Sequence, residues 1–114
     1  MRDAPLTYCS KIHGDKDLTV LTLTGPCTLQ NLFVLQKALK SVITTNILVD
    51  FSNSEYMDSA GLGALINFYV STARHERKLL LAGLNYRLQA MLESTRVQSL
   101  LNVFPTVEAA EASL

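Results

Sequence analysis

Apolar and polar positions along the chain change period several times, and each change marks an element. From Leu18 to Thr24 the chain alternates loosely between Leu or Val and Thr, the period-two pattern of a β-branched strand with one or two buried faces. Tyr8 to His13 precedes it across the turn-rich Gly14-Asp15-Lys16-Asp17, so the two segments read as an opening hairpin. Gly25-Pro26 stops the sheet. Thr28 is then placed to cap a helix from about Leu29 to Ser41, in which Leu32, Leu35, Leu39 and Val42 share one face.

Thr44-Thr45-Asn46 breaks that helix, and Ile47 to Phe51 is a short apolar strand of the kind buried on both faces of a parallel sheet. A polar loop leads from it to a second helix, from Ser59 to about His75, with Leu62, Leu65, Ile66, Tyr69 and Ala73 on the inner face. Ala60, Gly63, Ala64, Asn67 and Ser71 on its other surfaces are small, which suits either close packing against a neighbouring element or a flat docking surface. Lys78 to Ala82 forms the next strand and Gly83 ends it. Asn85 caps a third helix running to about Thr95, with Leu88, Met91, Leu92 and Thr95 toward the core. Leu100 to Phe104 is the last strand, and Pro105-Thr106 opens a terminal helix, Val107 to about Ala112, with Glu108 in its first turn.

Strands that alternate with helices imply right-handed crossovers. The expected fold is α/β, a mixed sheet of about five strands, mainly parallel with an N-terminal antiparallel hairpin, covered by about four helices mostly on one face. Residues 1–114 are expected to form one domain.

Composition narrows the partners. The chain is 48% hydrophobic and 18% charged, as folded globular proteins are. Ten basic and ten acidic side chains cancel, which leaves none of the electrostatic footprint that nucleic acid or an anionic membrane requires. Neither a membrane span nor a signal peptide is evident, so a cytoplasmic protein is expected. Cys9 and Cys27 are too few for a zinc site or a disulfide framework and read as reduced packing thiols.

The informative stretch is Ile47 to Gly63, where a strand passes through a loop into the second helix. A nucleophile elbow needs Gly-x-Ser-x-Gly, but Met57 stands where the first glycine would be, and neither His13 nor His75 is placed by a motif near Ser59. Gly61-x-Gly63 lacks the third glycine of a dinucleotide loop, and no Gly-Lys-Ser/Thr is present. No spacing suggests a metal site, and no cofactor is expected. Asp50 could accept a phosphoryl group at the end of a central strand, but the acidic pair and the lysine such a site needs are missing from the neighbouring strand ends. There remains a serine that is acted upon. At a helix N-terminus Ser59 can serve as a plain cap, or carry a phosphate of about −1.5 to −2 charges beside unpaired N–H groups.

Asp58-Ser59-Ala60-Gly61-Leu62-Gly63, following Ile47-Leu48-Val49-Asp50-Phe51-Ser52, resembles the signature of the STAS domain in bacterial anti-sigma factor antagonists. The resemblance extends over about residues 7 to 110. Leu88 to Leu92 with Thr95-Arg96-Val97 is similar to the family's third helix and its exit, and Asn102-Val103-Phe104 to its final strand. It implies a non-enzymatic switch. Ser59 would be phosphorylated by an anti-sigma factor that is itself a serine kinase; the unphosphorylated form would bind that kinase and free the sigma factor, and a metal-dependent serine phosphatase would reset the switch. Asp58, Gly61 and Gly63 would shape the site, with Thr28, Met57 and Leu62 flanking the docking surface. Tyr56 and Met57 are interface candidates or inward loop anchors. Gly25-Pro26-Cys27-Thr28 departs from the family, many of whose members carry an acidic residue there. Relatives of this size imply a monomer when free. The other implied role is a STAS scaffold or regulatory subunit of a larger signalling or transport complex, in which Ser59 is only a cap.

Overall fold

A computed structural model describes residues 4–96 and 98–114. Strands β1 (Thr7–His13), β2 (Leu18–Thr24), β3 (Asn46–Asn53), β4 (Lys78–Ala82) and β5 (Asn102–Phe104) lie in that spatial order in one sheet. β1 and β2 pair antiparallel, and every later pair is parallel. Helix α1 (Leu32–Lys40) connects β2 to β3, α2 (Ser59–Arg74) connects β3 to β4, α3 (Tyr86–Ser94) connects β4 to β5, and α4 (Val107–Ala112) follows β5. The mixed sheet, its opening hairpin and the four helices are those read from the periodicity.

Side chains alternate across each strand, so the sheet feeds two cores. On one face Leu21, Leu23, Ile47, Val49, Phe51, Leu79 and Leu81 meet Leu35 and Leu39 of α1, Leu62 and Leu65 of α2, and Leu88 and Leu92 of α3. On the other, Leu18, Val20, Leu48, Leu80 and Ala82 are covered by Ala110 and Val107 of α4. β3 is buried from Ile47 to Phe51, as expected for a strand with a core on each side.

Several boundaries differ from expectation for local reasons. The segment Leu29–Asn31 is a 3₁₀ turn, and the α-helix begins only at Leu32. Thr28 makes no cap bond to it. The last strand is shortened to Asn102–Phe104 because Gln98–Leu100 forms a second 3₁₀ turn, which leaves Leu100 exposed. In α2 the inward position near the C-terminus is Thr72 rather than Ala73, with the Thr72 hydroxyl donating to Tyr69 O at 2.8 Å. In α3 Thr95 is exposed, and its hydroxyl donates to Leu92 O at 2.8 Å instead of joining the core. Val97, within the segment read as the exit from the third helix, lies outside the described residues.

The far ends of α1 and α2 are tied together. Arg77, after α2, donates from Nε to Thr44 O at 3.0 Å and from Nη2 to Val42 O and Thr44 O at 2.9 and 2.8 Å, while Lys78 N donates to Thr45 O at 2.9 Å. The Thr44 hydroxyl is bonded to that of Thr19 at 2.7 Å and so anchors the knot to β2. The other ends of both helices meet at the C-terminal edge of the parallel strands, where loops in α/β sheets present their functional groups. Among the described residues, no helix is long and apolar enough to cross a membrane.

Candidate functional site

Two loops leave the sheet side by side. After β2 the chain runs Gly25-Pro26-Cys27-Thr28, and after β3 it runs Ser54 to Asp58. Gly25 N donates to Asn53 O at 3.1 Å, Cys27 N to Tyr56 O at 2.9 Å, and Asp58 N to Cys27 O at 3.1 Å. The Ser54 hydroxyl donates to Gly25 O at 2.7 Å and lies 3.6 Å from the Cys27 sulfur. These bonds continue the β2–β3 pairing beyond the strands, with Cys27 and Met57 as its last parallel bridge. The Cys27 thiol is fully buried. That burial pushes it above the ordinary thiol range, against the Ser54 hydrogen bond and with the Asp58 charge adding to the rise.

α2 starts directly from this bridge. Asp58 is its N-cap, in an extended conformation, and Oδ1 accepts from Gly61 N at 3.0 Å. Oδ2 accepts from Leu29 N at 3.0 Å, so the same carboxylate also holds the 3₁₀ turn that leads into α1. Partial burial works against the ionised form, but bonds from the Leu29, Gly61 and Ala60 amides outweigh it and hold the Asp58 carboxyl below its usual range.

Gly61 is fixed by close approach. A Cβ there would sit 2.1 Å from Cys27 O, a backbone atom already pinned by Asp58 N, whereas a Cβ on Gly63 would meet nothing within 4 Å. The small residues of α2 therefore have two explanations: Gly61 is close packing, and Gly63 leaves open surface.

Ser59 is the first helical residue rather than the cap, which corrects the capping reading. It is exposed, and among the described residues its hydroxyl makes no hydrogen bond. Around it the named positions divide. Met57 is folded inward, taking the role of a loop anchor, and Thr28, Gly61 and Leu62 are buried; Tyr56, Asp58 and Gly63 are half-buried. Thr28 does not cap: its Oγ1 is buried without a hydrogen-bond partner among the described residues. Two exposed apolar side chains adjoin the site that periodicity did not single out, Leu29 at 67% exposure and Phe33 at 77%.

Other chemistry is placed elsewhere. His75 lies at the opposite end of α2, about 24 Å along the helix, and His13 faces Glu111 of α4 at 3.6 Å. Asp50 is buried, its Oδ1 accepting from Ser52 N at 2.9 Å. Gly83, with φ of 74°, packs against that carboxylate, since a Cβ there would stand 3.0 Å from Oδ1. Among the described residues no group of three His, Cys, Asp or Glu side chains is placed to hold a metal ion.

A model of the STAS domain family matches residues 10–110. Among solved structures, an anti-sigma factor antagonist from Mycobacterium paratuberculosis matches with a TM-score of 0.85 at 18% identity, over 95% of this chain and 92% of that one. The phosphorylated form of SpoIIAA, a Bacillus cell fate determinant, matches at 0.70 and 13%, over 95% and 100%. The STAS domain of a SulP transporter from Vibrio cholerae matches at 0.70 and 22%, over 86% and 80%. At these identities the likeness to solved structures establishes the fold.

Proposed function

The chain belongs to the STAS domain family, and on that footing we propose that it is an anti-sigma factor antagonist working as a partner switch. In the unphosphorylated form it binds an anti-sigma factor serine kinase and the sigma factor is freed. Phosphorylation of Ser59 ends that binding, and a serine phosphatase restores it. The chain is the substrate in this cycle and carries out no chemistry itself: a bond forms between Ser59 Oγ and the γ-phosphorus of ATP, the bond to the departing ADP breaks, and the hydroxyl proton passes to the kinase. A cytoplasmic location follows from such a partner.

One observation carries the reading. Ser59 stands exposed in the first turn of α2 with its hydroxyl uncommitted among the described residues, while its neighbour Asp58 does the capping. A serine serving only as a cap would have its oxygen on a backbone N–H. The added charge acts on the partner: a like charge or a close-packed surface over Ser59 is opposed by about 1 to 3 kcal/mol, a change of about 5- to 150-fold in affinity.

The likeness to a transporter STAS domain favours a second reading, a regulatory module in a larger assembly. The two readings part on a mass measurement. With ATP and the serine kinase encoded nearest to it, the chain should gain one phosphate that Ser59→Ala does not. A kinase that binds tightly and leaves the mass unchanged overturns the switch and favours the module, as does equal binding of the kinase by wild type and Ser59→Glu.

A further inference from the structure

The Asp58 carboxylate has two clients. One oxygen holds Gly61 N, in the first turn of the helix that carries Ser59; the other holds Leu29 N, at the start of the turn that carries Leu29 and, four residues on, Phe33. Among the described residues it is the sole side chain joining the two helix starts, since Thr28 makes no bond and Asn31 turns away to Ala4 O and Pro26 O at 2.9 and 3.0 Å. Leu62 N is already taken by Asp58 O at 3.0 Å. The N–H groups left to receive an anion on Ser59 therefore include those that the Asp58 carboxylate now occupies.

Resting on the reading of Ser59 as a phosphate acceptor, we infer that Asp58 is a coupling residue. A phosphate on Ser59 displaces its carboxylate from Gly61 N, frees Leu29 N, and so alters the exposed Leu29–Phe33 ridge. Three features support this. A dianion on the adjacent residue repels the carboxylate, and a phosphate is the stronger competitor for helix N-terminal amides. The bonds from Asp58 N to Cys27 O and from Cys27 N to Tyr56 O belong to the backbone and survive the displacement, so the change is confined to the side chain and to Leu29. Lastly, Leu29 and Phe33 are held by little else, being 67% and 77% exposed. The phosphate would then act on a partner both directly, by its charge, and through an apolar ridge on the neighbouring helix.

The test does not need the kinase. Full-length protein with phosphoserine incorporated at position 59 during translation is compared with unmodified protein by amide hydrogen exchange and NMR shifts. The Leu29 amide should exchange about tenfold faster or more when position 59 is phosphorylated, the effect expected on losing one charge-assisted bond. The Leu88 amide, capped by Asn85 Oδ1 at 2.9 Å in α3, serves as internal reference and should not change. Asp58→Asn keeps an acceptor for Gly61 N but cannot offer a second one to Leu29 N, so Leu29 should exchange fast in both forms and the phosphate should add nothing. Asp58→Ser, also a good cap but too short to reach Leu29, is the second variant for the same comparison. An unchanged Leu29 amide in the phosphorylated protein overturns the coupling. So does an equal response to phosphate in wild type and in either variant. Failure of the kinase to modify Ser59 would overturn the proposed function while leaving these measurements to stand or fall separately.

Discussion

The two helices that meet at the Ser59 turn begin in opposite ways. α2 starts from a backbone bridge, carries an acidic cap and presses Gly61 onto Cys27 O. α1 starts through a 3₁₀ turn with no side-chain cap of its own, a buried Thr28 hydroxyl without a partner among the described residues, and two apolar side chains in solvent. The difference teaches that a helix start can be assembled from another segment's side chain, because Asp58 supplies to α1 the acceptor that Thr28 does not. It also separates structure from signalling at two adjacent positions: Asp58 is committed to the fold, and Ser59 is left free.

Substitutions can break this contrast, the largest effect first. Gly61→Ala forces a methyl group into a pinned carbonyl and should cost about 3 kcal/mol in denaturant unfolding. Gly63→Ala, in open space on the same helix, should instead stabilise by up to about 1 kcal/mol. Equal losses at both positions would mean that the two ends of this turn are packed alike.

Asp58→Ala removes both bonds and should cost about 1 to 2 kcal/mol at neutral pH. Its pH dependence has a definite sign. Folding holds the Asp58 carboxyl below its ordinary range, so its contribution is fully present above the unfolded value, about 3.9, and is lost as pH falls through the lower folded value. The stability gap between wild type and Asp58→Ala should therefore narrow below about pH 4.

Thr28→Val removes the buried hydroxyl with little change of shape. It should leave stability unchanged or raise it by up to about 1 kcal/mol by thermal unfolding, whereas a loss would reveal a bond to that hydroxyl. Ser59→Ala should be the mildest, within about 0.5 kcal/mol, in contrast to its neighbour. A loss as large as that of Asp58→Ala would return Ser59 to a structural role.

Much of the fold was legible because β2, β3 and β4 are apolar over their whole lengths and the helices repeat Leu at helical spacing, signals that depend on no detail of packing. The Asn85 cap was legible too, since a single candidate preceded α3. The start of α2 was not, because Asp58 and Ser59 are adjacent and equally good caps by type, and only the backbone bridge to Cys27 decides which of them precedes the first turn. Thr28 misled for a similar reason, its type being right while the acceptor came from residue 58. The exposure of Leu29 and Phe33 escaped periodicity because the 3₁₀ turn changes the rotation per residue just where the apolar face of α1 was being counted.

The Arg77 knot at the far ends of α1 and α2 has a mechanical consequence. With that end anchored to Val42, Thr44 and, through Thr19, to the sheet, α1 is a lever about 14 Å long whose fulcrum is the guanidinium. A tilt of about 10° at the fulcrum carries its free end through about 2 Å, on the arithmetic of helical rise. The side chain farthest from the active loop thus sets the gain of any movement there.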